Sequence, residues 1–190
     1  MDQVLAGLQH DPWGVPALAI MGKLLFGALA CWLALAVHEL GHALVARLVG
    51  VRIWGISVGK GPLLWRGMVG GCRVRLALLP IAGSVQLLDA DAKRIGYSIR
   101  PGSWRFRWNP GAWRAPAISM AGALSNLAGA ALVGWSAALA GPPLLAYFAS
   151  CLLVANLTGY FNLLPMFSSD GAHLLAHLSA LRQHLEPPTS

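Results

Sequence analysis

A chain of 190 residues that is 56% hydrophobic and only 11% charged is too apolar for an ordinary water-soluble domain, in which about 25% of residues carry charge. Its length suits a single domain, and its positive mean hydropathy makes the bilayer the expected solvent. The formal charge of +7 raises nucleic acid as a partner, but the Lys and Arg residues cluster between Arg47 and Arg114, in the gap separating apolar stretches; that pattern fits a membrane-adjacent loop, and no nucleic-acid partner is expected.

In chain order, residues 1–16 carry no basic n-region, and the apolar segment after them runs into His38 and Glu39. It is expected to stay in the mature protein rather than to leave as a signal peptide. Crossing about 30 Å of hydrocarbon takes roughly 20 helical residues. Three segments meet that length: residues 17–48, free of charge over 24–37, residues 115–140, and residues 144–164. Gly141, Pro142 and Pro143 supply the turn between the last two, short enough to make them antiparallel neighbours.

Twelve of the fourteen Lys and Arg residues lie in the 47–114 loop, which the positive-inside rule places in the cytoplasm. Within that loop, residues 51–58 and 73–79 are rich in β-branched and apolar side chains, with the short run 63–65 and Gly67, Gly70 and Gly71 between them. A small sheet or hairpin is expected over 51–88. Pro80 and then Gly83 break the later run, which argues for an exposed edge or a strand end there. Trp104, Phe106 and Trp108 read as interfacial anchors. The stretch 171–185 is too short and polar to span and is expected at the interface or packed on the bundle. Cys31, Cys72 and Cys151 are odd in number and lack CxxC spacing, so neither a disulfide framework nor a thiolate metal site is indicated. The expected fold is a membrane all-α core of three transmembrane helices, with a membrane-associated β-hairpin or sheet and a short C-terminal interfacial helix, as one domain over residues 1–190.

His38-Glu39-Leu40-Gly41-His42 is the HExxH pattern. On a helix its four-residue spacing puts both imidazoles on one face within reach of one Zn²⁺, with a carboxylate beside them as general base. Chance occurrence would leave three ionisable groups at the end of an apolar run, at roughly 2.5–3.5 kcal/mol each. Metal coordination offsets that cost. For a third ligand, Asp170 is the only acidic residue between Asp91 and Glu186. It also suits an N-cap for the helix that follows, and His173 with His177 forms a rival i, i+4 pair. The residues alone leave these alternatives open.

Beyond HExxH, Gly50-Val51-Arg52, Ser57-Val58-Gly59-Lys60-Gly61-Pro62, Leu78-Leu79-Pro80-Ile81-Ala82-Gly83-Ser84-Val85, Ala121-Gly122-Ala123-Leu124-Ser125-Asn126 (similar to GPxxN) and Asn162-Leu163-Leu164-Pro165 with Asp170-Gly171 (similar to NxxPxxxxDG) run through most of the chain. Together they resemble the site-2 protease family of intramembrane zinc metalloproteases. The resemblance implies a zinc endopeptidase that cuts transmembrane substrate proteins in regulated intramembrane proteolysis, with Asp170 completing the His38 and His42 site. It implies that Asn126 and Asn162 line the active site and hydrogen-bond the substrate backbone or a developing oxyanion, where helix packing is the plainer role. Ala123 stands where the family has Pro, and Ser169 where it usually has Leu.

The expected form is minimal, lacking the PDZ and CBS modules of many members, so substrate choice would rest on the core, on a regulatory partner or on a homo-oligomer. Membrane lipid is a further partner, and the expected location is multi-pass in a cell (inner) membrane. Substrate is expected to add as a strand to the edge of 73–79. A non-catalytic adaptor is disfavoured by the intact Glu39, and a metal transporter by the lack of ionisable residues along the second and third spans.

Overall fold

The computed structural model describes residues 14–88, 91, 113–137, 143–165 and 169–185. The first helix, α1 (Gly14–Leu48), is an Ala- and Leu-rich segment of 35 residues. It stops where Gly50 takes φ 74°. Val51 N donates to Ala46 O (2.8 Å) and Gly50 N to Arg47 O (3.0 Å), a Schellman closure that satisfies the last carbonyls and requires the left-handed residue to be glycine. Val51 and Ala46 then meet in a buried cluster with Leu87, Ala115 and Ile118. This cluster locks the end of α1, the base of the sheet and the start of the next helix together.

Two strands follow, β1 (Ile53–Val69) and β2 (Cys72–Leu87). They join through Gly70 (φ 55°) and Gly71 (φ 76°), and two successive positive φ angles are the geometry of a two-residue type I′ turn. Both strands bend and fold back. Residues 63–69 pair with 72–77, while residues 55–58 have partners on both sides, 83–86 running opposite and 73–76 rising in step. The result is a small unit of four strand segments joined by three ladders, whose free edges among the described residues are 63–69 and 80–87. Residues 73–76 of the expected strand 73–79 are therefore interior, flanked on both sides, while Ala77 and Leu79 pair on one side with Leu63 and Lys60; 73–76 has no free edge to offer a substrate. The later strand also continues through Pro80, which has no partner in the register; at that bend the missing N–H costs nothing.

The sheet lies along α1. Its Gly70 turn sits beside Arg47, whose guanidinium is 3.8 Å from where a Gly70 Cβ would stand, and Trp32 Nε1 donates to Ala77 O at 2.9 Å. Arg47 and Trp32 are roughly 22 Å apart on the helix axis at 1.5 Å per residue.

Helix α2 (Arg114–Ala137) packs on α1 through small residues: Ala30, Ala34, Ala43, Ala121 and Ala123 are all buried. A Cβ on Gly41 would come within 2.7 Å of Ala121 O, so the backbones touch at the middle of the HExxH motif. Small residues permit such approach where no hydrophobic force drives helices together. Helix α3 (Pro143–Thr158) passes into a 3₁₀ turn (Gly159–Leu163), and α4 (Asp170–Leu185) closes the described chain.

Among the described residues two helices are long and apolar enough to cross a membrane: Ile20–Leu48, with mean hydropathy 2.0, and Arg114–Val133, with 1.4. Only 11% of the best window of the first is buried, unlike the core helix of a soluble domain. The third expected span is a 16-residue helix with a 3₁₀ extension and does not reach that length as a single helix. Residues 138–142, with most of the expected turn, and the anchors Trp104, Phe106 and Trp108 lie outside the described residues.

Candidate metal centre

The HExxH spacing does on α1 what the helix period demands. His38, Glu39 and His42 are all buried, and the two imidazole Nε2 atoms lie 3.2 Å apart. Asp170 arrives from α4, its Oδ2 at 2.9 Å from His38 Nε2 and 3.2 Å from His42 Nε2. In a tetrahedral site with bonds of 2.0–2.1 Å, donor atoms sit about 3.3 Å apart, so the observed triangle of 2.9–3.2 Å fits one ion. Among the described residues this is the group of His, Cys, Asp and Glu that could hold a metal, and neither His173 nor His177 belongs to it.

Local structure explains why Asp170 is free for this work. Ser169 takes the cap of α4, accepting from Ala172 N at 3.2 Å, which releases the neighbouring carboxylate from the capping role. The Ser169 departure from the family pattern thus supplies the cap. A Cβ on Gly171 would come within 2.9 Å of the Leu164 carbonyl carbon, so glycine lets the first turn of α4 press against the 3₁₀ turn and bring Asp170 in. Burial alone would raise the Asp170 carboxyl, but hydrogen bonds to His38 and His42 and their charge outweigh it and hold the group at about 2.

The rings are oriented from behind. His42 Nδ1 donates to Ile118 O at 2.6 Å, which leaves its Nε2 lone pair facing the triangle. Asn126 stands 3.3 Å from His38 Nδ1, while its Oδ1 is buried without a partner. Turning that amide by 180°, an assignment that follows the hydrogen-bond network, lets Oδ1 accept from His38 Nδ1–H and aims the second Nε2 into the same space. Asn162, on the 3₁₀ turn, donates to Asp170 Oδ2 at 2.9 Å and lies 3.0 Å from His38 Nε2.

Glycines make the room. A Cβ on Gly122 would stand 2.6 Å from both His38 Nε2 and His38 Cε1, and would press on His42 Nε2 as well; it would fill the space an ion needs. A Cβ on Gly83 would lie 2.6 Å from Glu39 Cδ and Cγ, so the 80–87 edge runs against the carboxylate. The space-clearing roles of these two glycines, the Ile118 carbonyl and the orienting role of Asn126 were not drawn from the sequence. The Gly-x-x-x-Asn spacing of Gly122 and Asn126 is the signal that marks them, because i and i+4 share a helix face.

The centre opens into a cavity of about 940 Å³, lined among others by Cys31, Lys60, Pro80, Ile81, Phe161 and His173. His177 is buried one turn beyond His173; burial first, then the neighbouring His173 charge, pushes its imidazole down to about 4.

Comparison with known proteins bears on the same residues. The model of peptidase family M50 matches residues 26–152, a segment that includes His38, Glu39, His42 and Asn126 and stops short of Asn162 and Asp170. The regulator of sigma-E protease RseP of Salmonella typhimurium is 32% identical over 127 residues, 66% of this chain and 28% of that one. The protein of the same name from Escherichia coli K12 is 34% identical over 110 residues, 57% of this chain and 24% of that one. A Chlamydia pneumoniae protein provisionally named a zinc metalloprotease is 31% identical over 112 residues, 54% of this chain and 17% of that one. The matches thus span about a quarter or less of the length of these curated relatives.

Proposed function

The chain belongs to peptidase family M50, and from that premise we propose that it is an intramembrane zinc endopeptidase that hydrolyses peptide bonds of transmembrane substrate proteins in regulated intramembrane proteolysis. The observation that carries this reading is the triangle of His38, His42 and Asp170 donor atoms, 2.9–3.2 Å on a side, with the buried Glu39 next to it in sequence and the space in front of it kept clear by Gly122.

When bound, a zinc ion at this triangle would supply Lewis acidity, polarising a carbonyl and lowering the pKa of a water towards about 7. The chain's own groups do the rest. Glu39 takes a proton from the attacking water as its oxygen bonds to the scissile carbonyl carbon, and returns that proton to the amine nitrogen as the C–N bond breaks. Asn162 gives one amide hydrogen to Asp170 Oδ2, and its second is the one it would offer to the carbonyl oxygen as charge develops there. The Ile118 carbonyl and Asn126 keep both imidazoles aimed, so no reorganisation accompanies the step.

A transmembrane substrate helix buries its own backbone hydrogen bonds and must unwind before attack. The 80–87 edge, running past Glu39, is the strand that would receive the unwound segment and replace those hydrogen bonds; it takes the role expected of 73–79. Helix α3 and the 3₁₀ turn together have a length of about 34 Å, enough for a third crossing. With the 47–114 loop cytoplasmic, the protein would be multi-pass in a cell inner membrane, with its Glu39 chemistry towards the cytoplasmic end, acting as a single domain alone, with a regulatory partner, or as a homo-oligomer.

The test is cleavage of a panel of single-span substrates by the wild type and by Glu39→Gln, with zinc content measured for both. Wild-type cleavage with a variant that holds zinc but loses about 10²-fold or more in rate supports the mechanism. Zinc in both proteins with cleavage by neither would refute it.

A further inference from the structure

Lys60 has no part in the mechanism above, and its position is unusual. It sits at the bend of β1, between Gly59 (φ 84°) and Gly61 (φ 81°), opposite Leu79 in the register. A Cβ on Gly59 would stand 3.0 Å from Leu79 O and press on Ala77 O, and Ala77 O is the acceptor of the Trp32 indole. The Lys60 backbone is therefore level with Trp32, near the middle of the Ile20–Leu48 segment and well away from the Arg47 end. An ionisable side chain at such depth is costly and marks a functional position unless it is paired.

Lys60 is exposed, forms none of the ion pairs among the described residues, and lines the cavity in front of Glu39. Among the described residues it is the only Lys or Arg in that lining. Trp32 precedes His38 by six residues, about 9 Å along the helix axis, so the Lys60 bend is offset from the metal centre, where a substrate side chain rather than the scissile bond would meet it.

We propose that Lys60 is a specificity-determining residue that selects substrates carrying an Asp or Glu side chain in the unwound segment a few residues from the scissile bond. The two positive-φ glycines fix the bend that holds the cation over the cavity, and the 80–87 edge fixes the register of the segment, so one substrate position faces it. The proposal rests on the endopeptidase reading.

The experiment uses the full-length protein in detergent and one single-span substrate in which each position from four before to four after the cleavage site is changed in turn to Asp, Asn or Lys. At one position Asp is expected to exceed Asn in kcat/KM by about tenfold, with Lys below both. Lys60→Glu is expected to invert that order at that position alone, and Lys60→Gln to flatten it, with zinc content unchanged in both. The same ranking is expected in the affinity of Glu39→Gln for these substrates, and its inversion in the Glu39→Gln, Lys60→Glu double variant, a readout that needs no turnover. An unchanged ranking in Lys60→Glu, or an equal change for every substrate as a lipid-contacting or purely structural lysine would give, overturns the proposal. Ranked binding without wild-type cleavage would instead refute the endopeptidase reading and leave Lys60 selecting ligands.

Discussion

Replacing Gly122 by Ala adds one methyl group and tests whether the space between the imidazoles is what the centre requires. The new Cβ would stand 2.6 Å from His38 Nε2 and Cε1. Ordinary contact begins at about 3.5 Å, so the ring must withdraw by about 0.9 Å, several times the ~0.2 Å tolerance of a metal–ligand distance. Variants that disturb only the groups orienting a ligand lose roughly 10–100-fold in metal affinity, and moving the ligand itself is expected to cost at least about 100-fold. Overpacking adds a stability loss of about 1–3 kcal/mol. Zinc stoichiometry after purification, affinity by chelator competition, and thermal stability separate the two effects. Gly22→Ala and Gly27→Ala serve as controls, since a methyl at either meets nothing within 4 Å; both are expected to keep full zinc. Stoichiometric zinc in Gly122→Ala, with affinity within about threefold of wild type, would refute the reasoning.

Asn126→Ala removes the partner of His38 Nδ1 and is expected to weaken zinc binding about 10–100-fold. Asn126→Asp, which still accepts from the ring, is expected to hold zinc more tightly than the Ala variant; equal affinities for the two would show that Asn126 only fills space. His177 carries a pH dependence: burial and the neighbouring His173 charge hold its folded pKa at about 4, below the ordinary histidine value of 6.5, so the unfolded chain binds the proton more readily. The stability it confers is fully present above 6.5 and is lost as pH falls towards 4. The melting temperature is expected to drop across that window and to drop less in His177→Gln. A parallel decline in both proteins would exclude this histidine.

Much of the centre was legible because HExxH ties chemistry to a helical period: His38 and His42 meet wherever that segment is helical. Asp170 was harder to reach, since 128 residues separate it from His42 and spacing in the sequence says nothing about such closures. The family resemblance raised it, and the Ser169 cap explains physically why it is available. The sheet was read less well. A strand pattern shows which residues alternate but not how many neighbours a strand has, so 73–79 looked like an edge when 73–76 is interior; Pro80, read as an exposed edge or a strand end, stands on the free 80–87 edge, where β2 bends and continues. The third span was read by counting apolar residues, and the switch from α to 3₁₀ at Gly159 leaves no mark in such a count. Gly159 stands there because a side chain would strike the Asn126 amide, a contact between elements that no local pattern encodes.

Two donors of the triangle travel with α1 and the third with α4, far along the chain. An ion held by all three is therefore also a cross-link, closing a loop of 128 residues between His42 and Asp170. By the loop-entropy relation for covalent cross-links, a closure of that length disfavours the open chain by about 5 kcal/mol, comparable with the lower end of the whole stability of a small domain. The ion would then govern more than the bond being cut. It would act as a clasp on the topology, making possession of the metal and docking of the C-terminal helix a single cooperative state.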